Sequence, residues 1–327
     1  MLDNHLEILN GCFCLLGGYV LEIKGVSKCY SNGKKQALKE VTFHIKAQEF
    51  VALLGQNGAG KTTLINILGG NVKKDGGSVK IAGLDLDSQE LLTKRKIGIV
   101  PQEISIDFNF TVLEILKFQS GYFGKRFDKK YAEYLLEKLS LSDKIHVRGR
   151  FLSGGMKRRL LIAKALIHDP EIIILDEPTA GVDIELRHSL YLFLQELKAQ
   201  GKTIILTTHY LEEAEKLCDR IIMIKDGEVI ADESKQTLLN KYATGQMIKI
   251  ECEKGFDPKS SILNGYDLKI VERELSIQFH KSELSSVLEK LTKLPVILET
   301  LSISQSNLED VFLHLTRKGG ELNDTFL

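Results

Sequence analysis

The 327-residue chain has no tryptophan, only five prolines and no long hydrophobic run. Its longest apolar stretch, residues 8–20, is too short and too rich in glycine to span a bilayer, and no Lys or Arg precedes it. This stretch is therefore predicted to be neither a membrane anchor nor a signal peptide. Long Pro/Ser linkers and low-complexity tracts are also missing, so we expect the domains to be joined by packed rather than floppy segments.

An excess of charge of either sign is also missing. Lys plus Arg and Asp plus Glu both number 44. A chain without a basic excess has no overall field to attract nucleic acid or an anionic membrane surface. We therefore expect no nucleic-acid partner, and any membrane contact must be local.

Cysteine is scarce and scattered. The five cysteines form no C-x-x-C pair, and no histidine lies at ligand spacing from them. This pattern favours reduced thiols in the cytosol over a disulfide framework or a zinc site.

Four short apolar runs, each followed by polar residues, form the main pattern that is present. They read FVALL, IGIV, IIIL and TIILTT. Runs of this length, rich in β-branched residues and separated by helical patterns, predict buried parallel strands of an α/β sheet. Because ligands bind at the carboxyl ends of such strands, we expect five residues to converge on one crevice. They are Lys61, Gln102, Asp176, Glu177 and His209.

Helical patterns separate two of these strands. Thr111 to Glu114 form a capping box, and Tyr131, Leu135 and Leu139 recur at helical spacing. We therefore predict an inserted helical subdomain over about 105–165, which ends in a long helix opened by the glycines of LSGG.

Three domain limits follow from the changes of pattern. Residues 20–235 contain all the nucleotide-site motifs, and residues 236–327 alternate strand-like and amphipathic helical segments, which predicts a small C-terminal α/β domain. The first strand pattern is YVLEIKGVSKCY, so residues 1–19 are predicted to be a poorly packed extension. A start codon assigned too far upstream would explain it, and an added strand or helix packed on the domain is the alternative.

The segment GQNGAGKT fits the phosphate-binding pattern G-x-x-x-x-G-K-[ST], between a strand and a helix as that pattern requires. Its glycines permit a loop whose amides wrap phosphates, the Lys61 charge neutralises the β- and γ-phosphates, and the Thr62 hydroxyl is a ligand for Mg²⁺. The nucleotide contacts predicted here are Gly55, Asn57, Gly58, Ala59, Gly60, Lys61, Thr62 and Thr63.

Acidic residues complete a hydrolysis site in IIILDEP. Asp176 is predicted to hold Mg²⁺ directly or through water, and Glu177 to polarise the attacking water as a general base. Taken alone, the acidic pair has an alternative interpretation, in which it only marks the end of a strand. The phosphate loop in the same chain argues against this alternative.

Three further residues are candidate site residues because of their positions in the chain. Gln102 and His209 each follow a buried strand where the phosphates would lie, so Gln102 is predicted to sense Mg²⁺ or water and His209 to contact the γ-phosphate. Tyr30, 25 residues before Gly55, is placed to stack on adenine, although an ordinary surface tyrosine is the alternative.

A second anion-binding turn occurs in LSGGM. Ser153 can cap a helix, and Gly154 and Gly155 allow a ligand to approach the backbone. One chain cannot easily aim both this turn and the phosphate loop at one phosphate, which favours a head-to-tail pair in which Ser153, Gly154 and Gly155 face the γ-phosphate held by the other copy. The basic run 157–159 is predicted to be a solvated face that adds positive field.

These motifs together resemble the nucleotide-binding subunits of ABC transporters over residues 20–235. The motifs stand in the family's order: Tyr30, the loop 55–62, Gln102, the signature 152–156, IIILDEP, the AGVD loop 180–183 and His209. The resemblance implies a P-loop NTPase fold with a largely parallel sheet, and two ATP molecules with Mg²⁺ held between two copies. It also implies that Thr62, Gln102 and Asp176 ligate the metal and that Asp183 links the two sites. Met156 and Gln56 depart from the usual Gln and Pro without removing a phosphate contact.

A narrower resemblance favours transport outward. LSGGMKRRLLIAKALIHDPEIIILDEPTAGVD, LTTHYLEEAE and NLEDVFLHLT resemble single-cassette ATPases of multidrug-type bacterial exporters. These work with a separate permease, which implies a peripheral position on the cytoplasmic face of the inner membrane. By analogy the C-terminal domain regulates the cassette or contacts its partner. Import is the remaining variant, because no residue indicates direction.

Two other classes of protein are weighed against this interpretation. A soluble ABC ATPase acting on ribosomes or DNA is disfavoured by the single cassette, the lack of a long coiled-coil insertion and the absence of basic excess. A P-loop GTPase or small-molecule kinase would leave the signature unexplained, and no N-K-x-D guanine motif occurs.

Overall fold

A computed structural model describes residues 18–30, 35–107, 109–179, 182, 184–242, 245–252, 263, 265–271, 273–294, 296–305 and 307–316. The chain divides into two compact units, one ending at Asp232 and the other beginning at Glu233. The domain limits expected from the sequence, 20–235 and 236–327, stay predictions.

The strands of the first unit form two sheets. In chain order they are β1 (Tyr19–Tyr30), β2 (Lys35–Lys46), β3 (Phe50–Leu54), β4 (Gly76–Ile81), β5 (Leu84–Asp85), β6 (Ile97–Val100), β7 (Ile172–Asp176), β8 (Thr203–Thr207), β9 (Arg220–Lys225) and β10 (Glu228–Ser234), the last of which runs across the division.

Seven α-helices alternate with these strands in the described part of the unit. They are α1 (Lys61–Leu68), α2 (Glu90–Lys96), α3 (Val112–Tyr122), α4 (Lys129–Lys138), α5 (Gly154–Leu166), α6 (Ile184–Ala199) and α7 (Leu211–Leu217). Short 3-10 turns occupy Ser142–Lys144 and Gly149–Phe151.

The central sheet has the order β10-β9-β3-β8-β7-β6. Strand β3 pairs in parallel with β8 and β9, and β7 pairs in parallel with β6 and β8. Every residue of β3, β7 and β8 is buried, because helices and the second sheet cover both faces. The predicted α/β class, with its largely parallel sheet, is confirmed.

The second sheet, of order β2-β1-β4-β5, is antiparallel and did not follow from the sequence beyond its first strand. Its apolar face and the central sheet share one core around α1, to which Leu64, Ile65, Ile67 and Leu68 contribute. The start of a strand pattern at Tyr19 is confirmed by β1. Residues 1–17 and 31–34 lie outside the described residues.

The predicted helical insertion lies between β6 and β7 in the chain and contains α3, α4 and α5. The capping box is present: the Thr111 hydroxyl accepts from the Glu114 amide, and the Glu114 carboxylate accepts from the Thr111 amide. Helix α5 is buried on almost all sides, because α3, α4 and β6 pack around it. This burial encloses two of the basic residues of α5, Arg158 and Arg159.

The second unit is a small α/β structure. Its elements after β10 are α8 (Lys235–Tyr242), β11 (Gly245–Cys252), β12 (Asp267–Val271), β13 (Glu274–His280), a 3-10 turn (Lys281–Glu283), α9 (Leu284–Leu291), β14 (Val296–Gln305) and α10 (Leu308–Thr316). The antiparallel sheet has the order β12-β13-β11-β14, and its core joins Ile248, Ile250, Leu275 and Ile277 to Val287 and Leu291 of α9.

In the described part of the chain, no helix has the length and apolar character needed to cross a membrane.

His168 fastens the helical insertion to the central sheet. Its Nε2 lies 3.0 Å from the Ile97 carbonyl oxygen and must carry the proton, because a carbonyl only accepts. The ring stacks on Phe123, just beyond α3, with 3.8 Å between ring centroids. The side chain is 1% exposed, and burial lowers the pKa of His168 to about 4 from 6.5. The folded protein therefore holds this histidine neutral.

We predict that His168 makes the protein less stable in mild acid. Between pH 6.5 and pH 4 the unfolded chain protonates this imidazole while the folded chain does not, so stability falls as pH falls. The full effect is about 3 kcal/mol for a shift of this size. Urea unfolding at pH 7 and pH 4.5 should show a smaller loss for His168→Gln than for the wild type. His146→Gln, at an exposed position, is the matched control, and equal losses in all three proteins would contradict the prediction.

Candidate functional site

The loop between β3 and α1 is shaped for glycine at two positions. Gly60 has a φ of 113°, and a Cβ there would lie 2.5 Å from the Ala37 carbonyl oxygen. A Cβ on Gly55 would lie 2.4 Å from the Ile224 carbonyl oxygen. Both contacts are shorter than a side chain tolerates, so only glycine lets the loop close against β2 and β9.

Lys61 begins α1 and extends back over this loop. Its Nζ donates to the carbonyl oxygens of Gly55, at 2.6 Å, and Gln56, at 3.1 Å. Burial lowers the pKa of the half-buried ammonium, and the carboxylates of Asp176 and Glu177 oppose that shift. The loop therefore holds a cation that faces two acids.

Asp176 is the last residue of β7 and is 4% exposed. The parallel register sets it beside Thr207 of β8, whose hydroxyl donates to its carboxylate. Burial raises the pKa of Asp176, while the Thr207 hydrogen bond lowers it. The result is a buried carboxylate at the strand end with one defined protein donor.

Glu177 is held between the two residues predicted to accompany it. Gln102 Nε2 donates to Glu177 Oε2 at 3.0 Å, and His209 Nδ1 lies 3.2 Å from Glu177 Oε1. The sequence placed these three residues at the ends of separate strands, and the structure brings them into direct contact. Lys61 belongs to the same charged group through its attraction to both acids.

A cleft of about 560 Å³ opens beside this group. Its walls include Thr62, Gln102 and Asp176, the three predicted metal ligands, and it extends to Tyr122 and His168 of the helical insertion. A hydroxyl, an amide oxygen and a carboxylate thus line one cavity.

The signature turn begins α5 as the sequence predicted. Ser153 is the N-cap residue, and its hydroxyl accepts from the Met156 amide at 3.3 Å. Ser153 and Gly154 are exposed, and Gly155 is partly exposed. Because these residues are exposed, a ligand can approach the turn from outside. No hydrogen bond or ion pair of the described residues joins Ser153 to Lys61 or Glu177.

The prediction that the basic run 157–159 is a solvated face is wrong. Lys157 is partly exposed, but Arg158 and Arg159 are buried, because α5 is enclosed by other elements. Arg159 donates to the carbonyl oxygens of Leu139 and Ser140 beyond the end of α4. Arg158 donates to five carbonyl oxygens around the site.

Glu213 is a buried carboxylate that the sequence analysis missed. On α7 it is 2% exposed and accepts from three hydroxyls: Thr179, Tyr191 at 2.8 Å and Thr208 at 2.7 Å. Thr208 in turn accepts from the Tyr210 amide, so the network supports the residues on both sides of His209. Its spacing from the apolar positions 214 and 217 places it on the buried face of α7, which is the signal that could have revealed it.

Tyr30 and Asp183 are two other residues that the sequence analysis assigns to the site. Tyr30 ends β1, is 36% exposed, and has Lys28 Nζ 5.6 Å from its ring centroid. Its stacking on adenine stays a prediction. Asp183, with Ala180 and Gly181 of the AGVD loop, lies outside the described residues.

Comparison with known proteins gives consistent results. A family model described as ABC transporter matches residues 38–180. The linearmycin resistance ATP-binding protein LnrL of Bacillus subtilis is 36% identical over 307 residues, which are 91% of this chain and 98% of that protein. The Nod factor export ATP-binding protein I of Mesorhizobium japonicum is 38% identical over 300 residues, 90% of this chain and 86% of that protein.

Solved structures resemble about two thirds of the chain. One is a dimeric ATP-binding cassette in a post-hydrolysis state with ADP and Pi, at 32% identity and a TM-score of 0.61, covering 65% of this chain and 98% of its own. Another is an ATP-binding subunit of an ABC transporter, at 30% identity and a TM-score of 0.63, covering 68% of this chain and 93% of its own.

The residues present fit a nucleoside triphosphate and its metal. The glycines at 55 and 60 let the loop close against β2 and β9, and Lys61 supplies a cation whose hydrogen bonds, among the described residues, go to neutral carbonyl oxygens. Hydroxyl, amide and carboxylate oxygens are the donors that Mg²⁺ prefers, and such a set lines the cleft.

We predict that Lys61→Ala weakens ATP binding by about 10- to 100-fold, since hydrogen bonds to charged groups contribute about 1.5–3 kcal/mol each. Titration calorimetry on the purified protein measures the affinity directly. Lys80→Ala removes an exposed lysine from β4 and serves as control. Equal affinity of the Lys61 and Lys80 variants would contradict the role given to Lys61.

Proposed function

The chain belongs to the ABC transporter family as an ATP-binding, ATP-hydrolysing subunit, and we propose that two copies form an ATP-driven pair that powers export through a separate permease. The observation that carries the catalytic part is the contact of Glu177 with both Gln102 and His209. A carboxylate held on both oxygens at the mouth of a phosphate loop is oriented to receive a proton from water.

Each residue has a role that its surroundings support. The loop 55–60 and Lys61 bind the phosphates, Thr62, Gln102 and Asp176 would hold Mg²⁺, and Glu177 accepts the proton of the attacking water. Gln102 and His209 orient Glu177, and His209 keeps Nε2 for the γ-phosphate because Nδ1 faces Glu177. When bound there, Mg²⁺ would supply positive charge against the charge that develops on the phosphate oxygens.

We propose a second copy because, among the described residues, no hydrogen bond or ion pair joins Ser153 of the signature turn to Lys61 or Glu177 of its own chain. Ser153 and Gly154 are exposed at the start of a helix whose amides suit an anion. In a symmetric pair, the turn of each copy would face the phosphate loop of the other. ATP would then favour the closed pair by the difference in its affinity for the closed and open states.

Mixing two inactive variants tests this composite site. We predict that Lys61→Ala and Ser153→Arg are each inactive as ATPases, while a mixture regains activity. A mixed pair contains one site with intact Lys61 from one copy and intact Ser153 from the other. Random pairing gives mixed pairs in half of the cases with one working site in two, so about one quarter of wild-type activity returns.

The control mixture replaces the Ser153 variant with Lys61→Ala/Ser153→Arg, so that no mixed pair has a complete site. Turnover in this control, or none in the test mixture, would contradict the exchange of residues between copies.

Export and a permease partner are supported by the relatives and by the surface. The similar protein from Mesorhizobium japonicum is a Nod factor export ATP-binding protein, and the one from Bacillus subtilis confers linearmycin resistance. A subunit of this kind would work at the cytoplasmic face of the membrane, bound there through the permease, which would also bind the transported molecule.

An aromatic strip on the helical insertion, made of Phe110, Phe118 and Tyr122, is our proposed contact with that permease. The rings of Phe110 and Phe118 are 4.9 Å apart, and Phe118 and Tyr122 lie one turn apart on α3. Phe118 is 54% exposed and Tyr122 74%. Clustered exposed apolar side chains are typical of binding surfaces. Tyr122 lines the same cleft as Gln102, so a partner bound here lies next to the site.

We predict that Phe118→Asp lowers the membrane-bound fraction of the protein in its host cells by about tenfold or more, as at an interface hot spot. ATP affinity of the purified variant should be unchanged. Leu192→Asp, at an exposed leucine of α6, is the matched control and should stay membrane-bound. Equal membrane binding of the two variants would contradict this contact.

A further inference from the structure

Arg158 is a buried cation that none of the proposed roles uses. It lies on α5, beyond the signature turn, and is 3% exposed. Burial lowers the pKa of Arg158, and the carboxylates of Asp176 and Glu177 oppose this shift. A guanidinium in such a place is stable only if acceptors meet its N–H groups.

The five N–H groups of Arg158 are all met by main-chain carbonyl oxygens. Nε donates to Pro178 at 3.3 Å, Nη1 to Pro101 and to Gln102 at 3.1 Å, and Nη2 to Asp176 and to Glu177 at 2.6 Å. These acceptors lie at the end of β7 and in the segments that follow the neighbouring parallel strands β6 and β7. One side chain therefore joins both strand ends to α5.

The backbone of Glu177 depends on this support. Its φ is 50°, in the left-handed region that a side chain makes unfavourable. Its amide donates to the Thr207 carbonyl oxygen at 3.0 Å, and its carbonyl oxygen accepts from Arg158. A conformation of this kind costs about 1–3 kcal/mol and persists only where neighbours fix it. Here Thr207 fixes one peptide group and Arg158 the other.

We propose that Arg158 is a positioning residue for ATP hydrolysis. By binding the carbonyl oxygens of Gln102 and Glu177 together, it keeps the Gln102 amide on the Glu177 carboxylate and keeps that carboxylate aimed at the attacking water. Because Arg158 belongs to the helix that begins at Ser153, a shift of the signature turn also shifts Gln102 and Glu177 in the same chain. This inference rests on the proposed roles of Glu177 and Gln102.

The test compares Arg158→Gln and Arg158→Lys with Arg159→Gln. Misplacing a catalytic group by about 1 Å costs up to about a hundredfold in rate, so kcat should fall by about 10- to 100-fold in Arg158→Gln while ATP affinity stays unchanged. Arg158→Lys keeps the charge and three donors, and its kcat should be intermediate. Arg159→Gln is equally buried but loses contacts at Leu139 and Ser140, and its kcat should match the wild type.

Rates are compared at a temperature where thermal unfolding shows every variant folded, and Arg158→Lys carries the test if Arg158→Gln does not fold. Equal kcat in the Arg158 and Arg159 variants would overturn the inference. So would a fall in ATP affinity that accounts for the whole loss of rate.

A double variant separates this inference from the proposed function. If Arg158 acts through Glu177, Arg158→Gln should lower the residual rate of Glu177→Gln no further. A full additional loss would overturn the positioning role. A wild-type rate in Glu177→Gln alone would instead contradict the proposed function, because it would remove Glu177 from the reaction.

Discussion

The parallel register of β6, β7, β8 and β3 is the constraint on which the site depends. Val100 lies beside Leu175, Asp176 beside Thr207, and Leu53 beside Thr207. The residues that follow these strand ends therefore emerge at one edge of the sheet, although they are far apart in the chain. Burial of every residue in β3, β7 and β8, most of them apolar, holds the register. A slip of one residue would turn each buried side chain to the opposite face.

Behind this edge of the sheet, buried polar groups fix the positions of the site residues. Glu213 accepts three hydroxyl donors next to His209, and Arg158 saturates its donors on the segments that carry Gln102 and Glu177. Neither is at the surface, and each leaves unpaired partners if it is removed. Glu177 is thus held at its side chain by Gln102 and His209 and at its backbone by Arg158 and Thr207. We infer that the rate depends on this second layer as well as on the residues that face ATP.

Sequence patterns predicted the α/β class, the four central strands and the meeting of Gln102, Glu177 and His209, because strand ends in a parallel sheet share an edge. They did not predict the antiparallel sheet, whose strands alternate too irregularly: the register of β1 shifts repeatedly along its pairing with β2. They also misjudged Arg158. A basic run at a helix start is usually solvated, and only the packing of α3, α4 and β6 around α5 buries it. The domain limits and the roles of the site residues stay predictions.

We propose that ATP lies between two copies and is held by Lys61 of one and Ser153 of the other. The most direct test is the solution mass of Glu177→Gln with and without ATP and Mg²⁺, because this variant keeps the shape of the carboxylate but removes the proposed base. We expect the mass of a single chain, 36.7 kDa, without ATP and twice that mass with it. A single-chain mass at saturating ATP, with ATP bound, would contradict the shared site.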